Sequence, residues 1–339
     1  MRDRHSISFR ITGIASRRLG WIADPKGLDP EVCVERALLP ADGREASAGQ
    51  PVLPPKNREA NPRPANVRDW LTAARAGVLF EATSLNVETG QPAVEHIRAA
   101  LEHGAHAITA NKGPIVHAYR ELRDLAAKRG KRFLFESTVM DGVPIFSLFD
   151  QLPAIRLQGF HGILNSTTNV ILSEMEKGLT LDAALKKAQD LGIAETDATH
   201  DIDGWDAAVK TAALITVLMG SNENDSDENA APIRLEEIAR EGIRDLTPEG
   251  VRNARRDGWP YKLVCRAKRE GEGAQAKITA SVKPEKILSS SPMAKIAGTS
   301  SYIYFETDIF PGLAITEENP GLYATAYGML ADLVRIAQD

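Results

Sequence analysis

Between Gln189 and Lys210 the chain concentrates Glu195, Asp197, Asp201, Asp203, Asp206 and Lys210. Asp206 and Lys210 stand four apart at the head of a helix that runs into the apolar AALITVLMG, so their side chains share one face and can address one bound group. The same spacing also fits an acidic first turn favoured by the helix dipole, with a surface ion pair beside it. Upstream, Asn165 to Asn169 (NSTTN) is a run of uncharged hydrogen-bonding residues opening a second helix. Backbone donors at a helix start, flanked by hydroxyls and amides, suit a carboxylate, whereas capping alone needs one such residue. A third candidate is TANKGP, Thr109 to Pro114, directly after a strand. The carboxyl ends of parallel strands border the ligand crevice, which places Asn111 and Lys112 there. A desolvated lysine at such a place can move protons near neutral pH, and a solvated one merely caps the strand.

The elements that must position these residues read as strands alternating with helices through the first 140 positions. Arg10 to Ala15, Val78 to Thr83, His106 to Thr109 and Phe133 to Ser137 are short apolar runs, and Pro92 to His103 and Ile115 to Arg129 have helical spacing. That order predicts an α/β fold, a Rossmann-like doubly wound parallel sheet. Beyond it, strand candidates at Phe160 to Leu164, Lys262 to Ala267, Lys277 to Val282 and Ser301 to Glu306 predict a second, α+β domain. The expected division is a dinucleotide-binding domain over 1–136, a substrate-binding and dimerisation domain over 137–323, and a helix over 324–339 returning to the first domain. The proline-rich stretch 41–65 reads as a long surface loop and the acidic run 221–231 as a solvated one.

Length and composition narrow the function. The 339 residues suffice for two cores, and 43% hydrophobic with 26% charged residues exclude a disordered or fibrous chain. A net charge of -5 gives no general reason to bind nucleic acid or an anionic membrane. The most apolar stretch, 212–219, is interrupted by Thr216 and is far shorter than the roughly 20 residues a membrane span needs. Cys33 and Cys265 lack CxxC spacing, and the histidines lack the spacing of a catalytic zinc site, so a cytoplasmic, small-molecule role is expected.

These segments, with FESTVMDGVP between them, resemble the homoserine dehydrogenase family. The resemblance rests on Asn111 and Lys112; on Glu136, Thr138, Val139, Gly142 and Pro144; on Asn165, Thr167, Thr168 and Asn169; and on Ala188, Gln189, Gly192, Glu195, Asp201, Gly204, Asp206, Ala207, Ala208 and Lys210. It implies NAD(P)-dependent hydride transfer interconverting L-homoserine and L-aspartate 4-semialdehyde, in threonine and methionine biosynthesis. On that carry-over Lys112 and Lys210 shuttle the proton of the reacting oxygen. Glu195, Asp201 and Asp206 bind the substrate ammonium and orient Lys210, and Ser166 and Thr167 lie beside the substrate's backbone end. Thr83, Asn111 and Lys112 face the cofactor. The resemblance also implies a monovalent cation, sodium, held by Glu136, Val139, Asp141 and Val143, and a homodimer formed through the second domain.

The chain departs from the family pattern in several places. No glycine-rich GxGxxG turn precedes Ile11, so the chain starts at what would be the second strand, and an upstream start or a weakened dinucleotide grip is expected. Ser16, Arg17 and Arg18 follow the 10–15 strand where an NAD-preferring protein often has an acid, which favours NADP over NAD. Ser166 replaces a common glycine and Ile193 a common aromatic residue, so reaction class is more firmly implied than substrate. No C-terminal amino-acid-binding module is expected. The rival readings are a dehydrogenase for another amino-acid semialdehyde, and a catalytically silent amino-acid binder that has lost dinucleotide binding.

Overall fold

The structure is a computed structural model that describes residues 7–17, 19–38, 64–220, 233–271 and 277–338. Arg18, the acidic run 221–231 and nearly all of 41–65 therefore lie outside the described residues.

The first strands are β1 (Gly13–Ser16) and β2 (Gly20–Ala23), an antiparallel pair in which Ser16 faces Gly20. This corrects the expectation that 10–15 joins the parallel sheet: among the described residues the pair forms a two-stranded sheet of its own. A strand partner three residues away is reached by a tight turn, and Gly20, at φ 69°, supplies the left-handed conformation that such a return needs. The hairpin rests on α2. In chain order α1 is Pro30–Leu38 and α2 Val67–Ala74, and the Trp70 indole N–H of α2 donates to the Ile22 carbonyl at 2.7 Å.

Next come β3 (Val78–Glu81), α3 (Ala93–His103), β4 (His106–Thr109), α4 (Gly113–Lys128) and β5 (Phe133–Leu134). The three strands form a parallel sheet in the order β3-β4-β5. Parallel neighbours need a crossover, and α3 and α4 supply it with their apolar faces inward, led by Ile97, Leu101, Ile115 and Leu122.

The second half contains α5 (Phe146–Asp150), β6 (Leu157–Ile163), α6 (Ser166–Glu176), α7 (Leu181–Asp190), α8 (Thr199–Ile202) and α9 (Trp205–Leu214). It continues with β7 (Ala239–Arg240), α10 (Pro248–Arg256), β8 (Tyr261–Glu270), β9 (Lys277–Lys286), β10 (Ser301–Thr307), β11 (Leu313–Glu317) and α11 (Leu322–Gln338). Its sheet runs β11-β10-β6-β8-β9-β7, antiparallel except where β7 joins β9. The strands β2, β7 and β11 and the helices α1, α2, α5, α8 and α10 had no counterpart among the sequence-based expectations. Ala207, Ala208, Ala212 and Ala213 are almost completely buried, and their small side chains let α9 lie close to the sheet. The Cys265 thiol points at the Ala207 carbonyl, and burial pushes it up to about 11.

After Leu214 the helix loosens into a π turn over Ile215–Met219. The last helix, α11, packs against β4 and the 136–138 turn. Its Asp332, 1% exposed, accepts the Glu136 N–H at 3.0 Å, and the Ser137 hydroxyl donates to the Thr325 carbonyl at 2.8 Å. No helix among the described residues is long and apolar enough to cross a membrane.

Candidate active site

β3 and β4 deliver the first part of the site. Glu81, the last residue of β3, is 2% exposed, and its carboxylate accepts the Thr83 N–H at 2.9 Å and the Thr109 hydroxyl at 3.0 Å. Burial alone would raise this carboxyl, but hydrogen bonds from His96, Thr83 and Thr109 hold it below the usual range. Asn111 is also buried. Its amide donates to the Thr83 carbonyl at 2.9 Å and accepts the Gly113 N–H at 2.9 Å. The two strand ends are thereby tied together, and Lys112 sits at the N-terminal cap of α4.

β6 and α9 deliver the second part. The Asn165 side chain caps α6 by accepting the Thr168 N–H at 2.8 Å. Its amide then has two N–H groups to place, and they go to Asp201 at 2.6 Å and Asp206 at 3.0 Å. Gly204, at φ 78°, turns the chain into α9, so Asp206 falls in the first turn and Lys210 one turn later on the same face.

The two parts meet at one carboxylate. Asp206 Oδ1 lies 3.1 Å from Lys112 Nζ, and Asp206 Oδ2 lies 3.2 Å from Lys210 Nζ. Lys210 also donates to the Leu164 carbonyl at 2.6 Å. All three charged side chains are mostly buried, at 17–19% exposure. Burial pushes Asp206 up, but the two ammonium groups outweigh it and hold the carboxyl well below its ordinary value. Lys210 shows the mirror effect: burial lowers it, and Asp206 and then Asp141 more than offset that, so it stays protonated at neutral pH. Asp201 is raised, by burial first and then by Asp206.

Ser166 and Thr167 sit beside this cluster with their hydroxyls engaged. Ser166 donates to the Thr299 carbonyl at 2.9 Å, and Thr167 donates to the Ile193 carbonyl at 3.5 Å and also bonds Asp201. Glu195 is exposed, and only its backbone carbonyl is held, by Gln189 at 3.1 Å. Among the described residues no hydrogen bond or ion pair joins its carboxylate to the cluster. Thr83 is exposed at the end of β3, and Arg17 is exposed in the β1–β2 turn.

Of the groups expected to hold sodium, the Glu136 carboxylate and the Val143 carbonyl are already hydrogen-bonded within the fold. Both Glu136 oxygens accept backbone N–H groups, from Phe146 at 2.7 Å and Ser147 at 2.9 Å, with Arg335 3.6 Å away. The Asp141 carboxylate takes the Thr325 hydroxyl at 2.5 Å, and the Val143 carbonyl accepts the Ile145 N–H at 2.8 Å. A carboxylate already served by two donors and facing a guanidinium has little left to offer a cation.

One acid here carried no sequence signal. Glu317, at the end of β11, has a buried Oε2 with no hydrogen-bond partner among the described residues. Burial and then the neighbouring Asp141 push it up to about 7, against the pull of Lys210. It is neutral below that pH and gains a negative charge above it, so any stability tied to its neutral form is present below the ordinary 4.5 and lost as pH rises through about 7. The pH profile of kcat/KM is expected to bend near 7 in the wild type and to lose that bend in Glu317→Gln. An unchanged profile would show that Glu317 does not titrate beside Lys210.

Residues 2–136 match the family model described as homoserine dehydrogenase, NAD binding domain, and residues 144–334 match the one described as homoserine dehydrogenase. The chain belongs to the homoserine dehydrogenase family. A homoserine dehydrogenase of Methanocaldococcus jannaschii is 35% identical over 283 residues, 83% of this chain and 79% of that protein. An NAD(+)-dependent homoserine dehydrogenase of Pseudomonas canavaninivorans is 32% identical over 332 residues, 98% of this chain and 87% of that one. Among solved structures, a homoserine dehydrogenase from Thiobacillus denitrificans superposes with a TM-score of 0.69 at 31% identity, covering 81% of this chain and 60% of that one. A hyperthermophilic archaeal homoserine dehydrogenase in complex with NADPH gives 0.65 at 28% identity, covering 80% and 75%. Membership of the homoserine dehydrogenase family makes the chain an oxidoreductase that takes a nicotinamide dinucleotide and a small-molecule substrate.

Proposed function

We propose that this protein interconverts L-homoserine and L-aspartate 4-semialdehyde with NADP, using Lys112 and Lys210 at the reacting oxygen. The observation that carries this reading is the meeting of both ammonium groups on Asp206. A bound nicotinamide supplies or takes the hydride at the substrate's aldehyde carbon, and Thr83, Asn111 and Lys112, at the ends of β3 and β4, are the residues that would flank it.

The chain's own groups handle the proton. Lys210 has three N–H donors, of which Asp206 and the Leu164 carbonyl take two, leaving one for a substrate oxygen. As hydride reaches the carbon, negative charge grows on that oxygen, and the Lys210 proton completes the alcohol. In the reverse direction Lys210 first releases one proton to solvent and then accepts that of the alcohol as the hydride leaves. Asp201 and Asp206 gather the substrate ammonium. Ser166 and Thr167, at the head of α6, border its carboxylate end.

The NADP assignment rests on Arg17, whose guanidinium suits a 2′-phosphate. The Pseudomonas canavaninivorans relative, named as NAD(+)-dependent, favours NAD as a second reading. We place the protein in the cytoplasm, supported by the buried thiol of Cys265, which is in no disulfide. We also infer a homodimer, supported by the polar sheet face that carries His161, Tyr304 and Arg266 in register.

Homoserine-dependent reduction of NADP and of NAD, followed in the wild type and in Arg17→Glu, tests both points. The wild type is expected to reduce NADP, and the variant to lose about tenfold or more in kcat/KM for NADP while NAD changes by less than about twofold. No homoserine-dependent reduction of either dinucleotide would overturn the activity. Equal losses for both would remove the NADP assignment.

A further inference from the structure

A crevice of about 790 Å³ opens away from the lysine cluster, where α4 and β5 meet α5, the 151–157 connection and the π turn. Six basic side chains line it, Arg120, Arg123, Lys131, Arg132, Arg156 and Arg335, in a chain whose net charge is -5. The three acids among the lining residues are already engaged. Glu136 accepts the two backbone N–H groups described above, Asp150 pairs with Arg335 at 2.8 Å, and Asp308 accepts the Arg156 N–H at 2.9 Å. Arg335 is also paired with Asp332 and Arg123 with Asp124, but six basic against three acidic lining side chains still leave a local excess of positive charge, which favours an anion.

A second observation points to a ligand independently of charge. Thr216, in the π turn, is 7% exposed and lines the crevice, and its hydroxyl has no hydrogen-bond partner among the described residues. A buried hydroxyl without a partner is costly unless something supplies one, and π turns recur where helices are shaped around ligands. The crevice also has an aromatic side. Phe135 packs edge-on against Tyr119 at 5.7 Å and Phe146 at 4.9 Å, and the Arg123 guanidinium lies 5.9 Å from the Tyr119 ring. Cations and a hydroxyl beside an aromatic-lined apolar wall match a ligand with phosphate at one end and an apolar ring at the other.

We propose that this crevice binds a phosphate ester carrying a flat apolar body, the chemistry of a nucleotide, at a site separate from Lys112, Asp206 and Lys210. Its walls are the far ends of the two helices that hold those lysines. α4 begins beside Lys112 and contributes Tyr119, Arg120 and Arg123, while α9 carries Lys210 and runs on into the π turn with Thr216.

The test is calorimetric titration of ADP and of pyrophosphate into the full chain held in excess NADPH. ADP is expected to bind and to bind more tightly than pyrophosphate. Charge reversal at the rim in the double variant Arg123→Glu, Lys131→Glu should weaken ADP about tenfold or more, and Thr216→Val by about threefold or more, with Thr216→Ser restoring it. Homoserine-dependent dinucleotide reduction without ADP should stay within about twofold of the wild type in the rim variant, since neither residue touches the lysine cluster. Absence of ADP binding at millimolar concentration, or equal affinity in the rim variant, would overturn the site. Displacement of ADP by NADPH would assign the binding to the cofactor's own place and overturn it as well. Equal affinities for ADP and pyrophosphate would remove the flat body from the proposal.

Discussion

Lys210→Met is expected to lower kcat for homoserine oxidation by about 10²–10⁴-fold, the range in which a positioned proton-transfer group acts. Methionine has a similar length and keeps the packing of α9, so the loss reports the ammonium and not a cavity. The Leu164 carbonyl and Asp206 would each lose a donor, at 2.6 and 3.2 Å in the wild type, but Asp206 keeps Lys112 and Asn165. Binding of the amino-acid substrate should therefore suffer much less than turnover. Lys210→Arg should fail almost as badly, because a guanidinium keeps the charge but does not release its proton at working pH. Steady-state kinetics with the two variants decides the matter. A fall in kcat of less than about tenfold in Lys210→Met would leave proton transfer to another group.

The second large effect is on stability. Asp206→Leu leaves two mostly buried ammonium groups without the carboxylate that bridges them, and a loss of about 3–5 kcal/mol is expected from breaking one partner of such an arrangement. Denaturant unfolding of the second-domain signal measures it. Adding Lys112→Met to Asp206→Leu should recover part of the loss by removing one unpaired charge, an outcome that additive, unrelated damage would not produce. The acid side follows from the sign of the shift. Asp206 is held below its ordinary 3.8 in the fold, so its contribution is present above that pH and lost as the pH falls through the lower, folded value. Wild-type stability should therefore decline more steeply than that of Asp206→Leu in this acid range. Parallel curves would count against the bridge.

Much of this arrangement was legible from local pattern. Helical spacing put Asp206 and Lys210 on one face and the strand end placed Asn111 and Lys112 at the crevice, signals that depend only on near neighbours; an ordinary ion pair and a solvated lysine fitted them too, until the family resemblance favoured a site. The parts that were not legible depend on partners distant along the chain. Asn165 looked like one more polar residue in NSTTN, yet its amide joins Asp201 to Asp206 while its oxygen caps α6. Glu81 and Glu317 end ordinary strands, and nothing in their immediate neighbours announces the buried carboxylate of the first or the buried Oε2 of the second. Glu195 belongs to the same acidic run as Asp206, and its exposed side chain makes no bond to the cluster among the described residues. The engagement of Glu136 was equally hidden, because its two N–H donors come from α5, ten and eleven residues later. The 10–15 strand was found in the sequence, but its partner was misassigned, since a three-residue return competes with any distant pairing.

The docking of α11 has a consequence for how the protein is made. The N–H of Glu136 is answered by Asp332, 196 residues later, and Ser137 by Thr325, 188 residues later. During synthesis, the three-stranded sheet leaves the ribosome long before the helix that covers β4 exists. The nascent first half must wait, with that surface bare, until residues 322–338 have emerged, and chaperones can act on it during that interval.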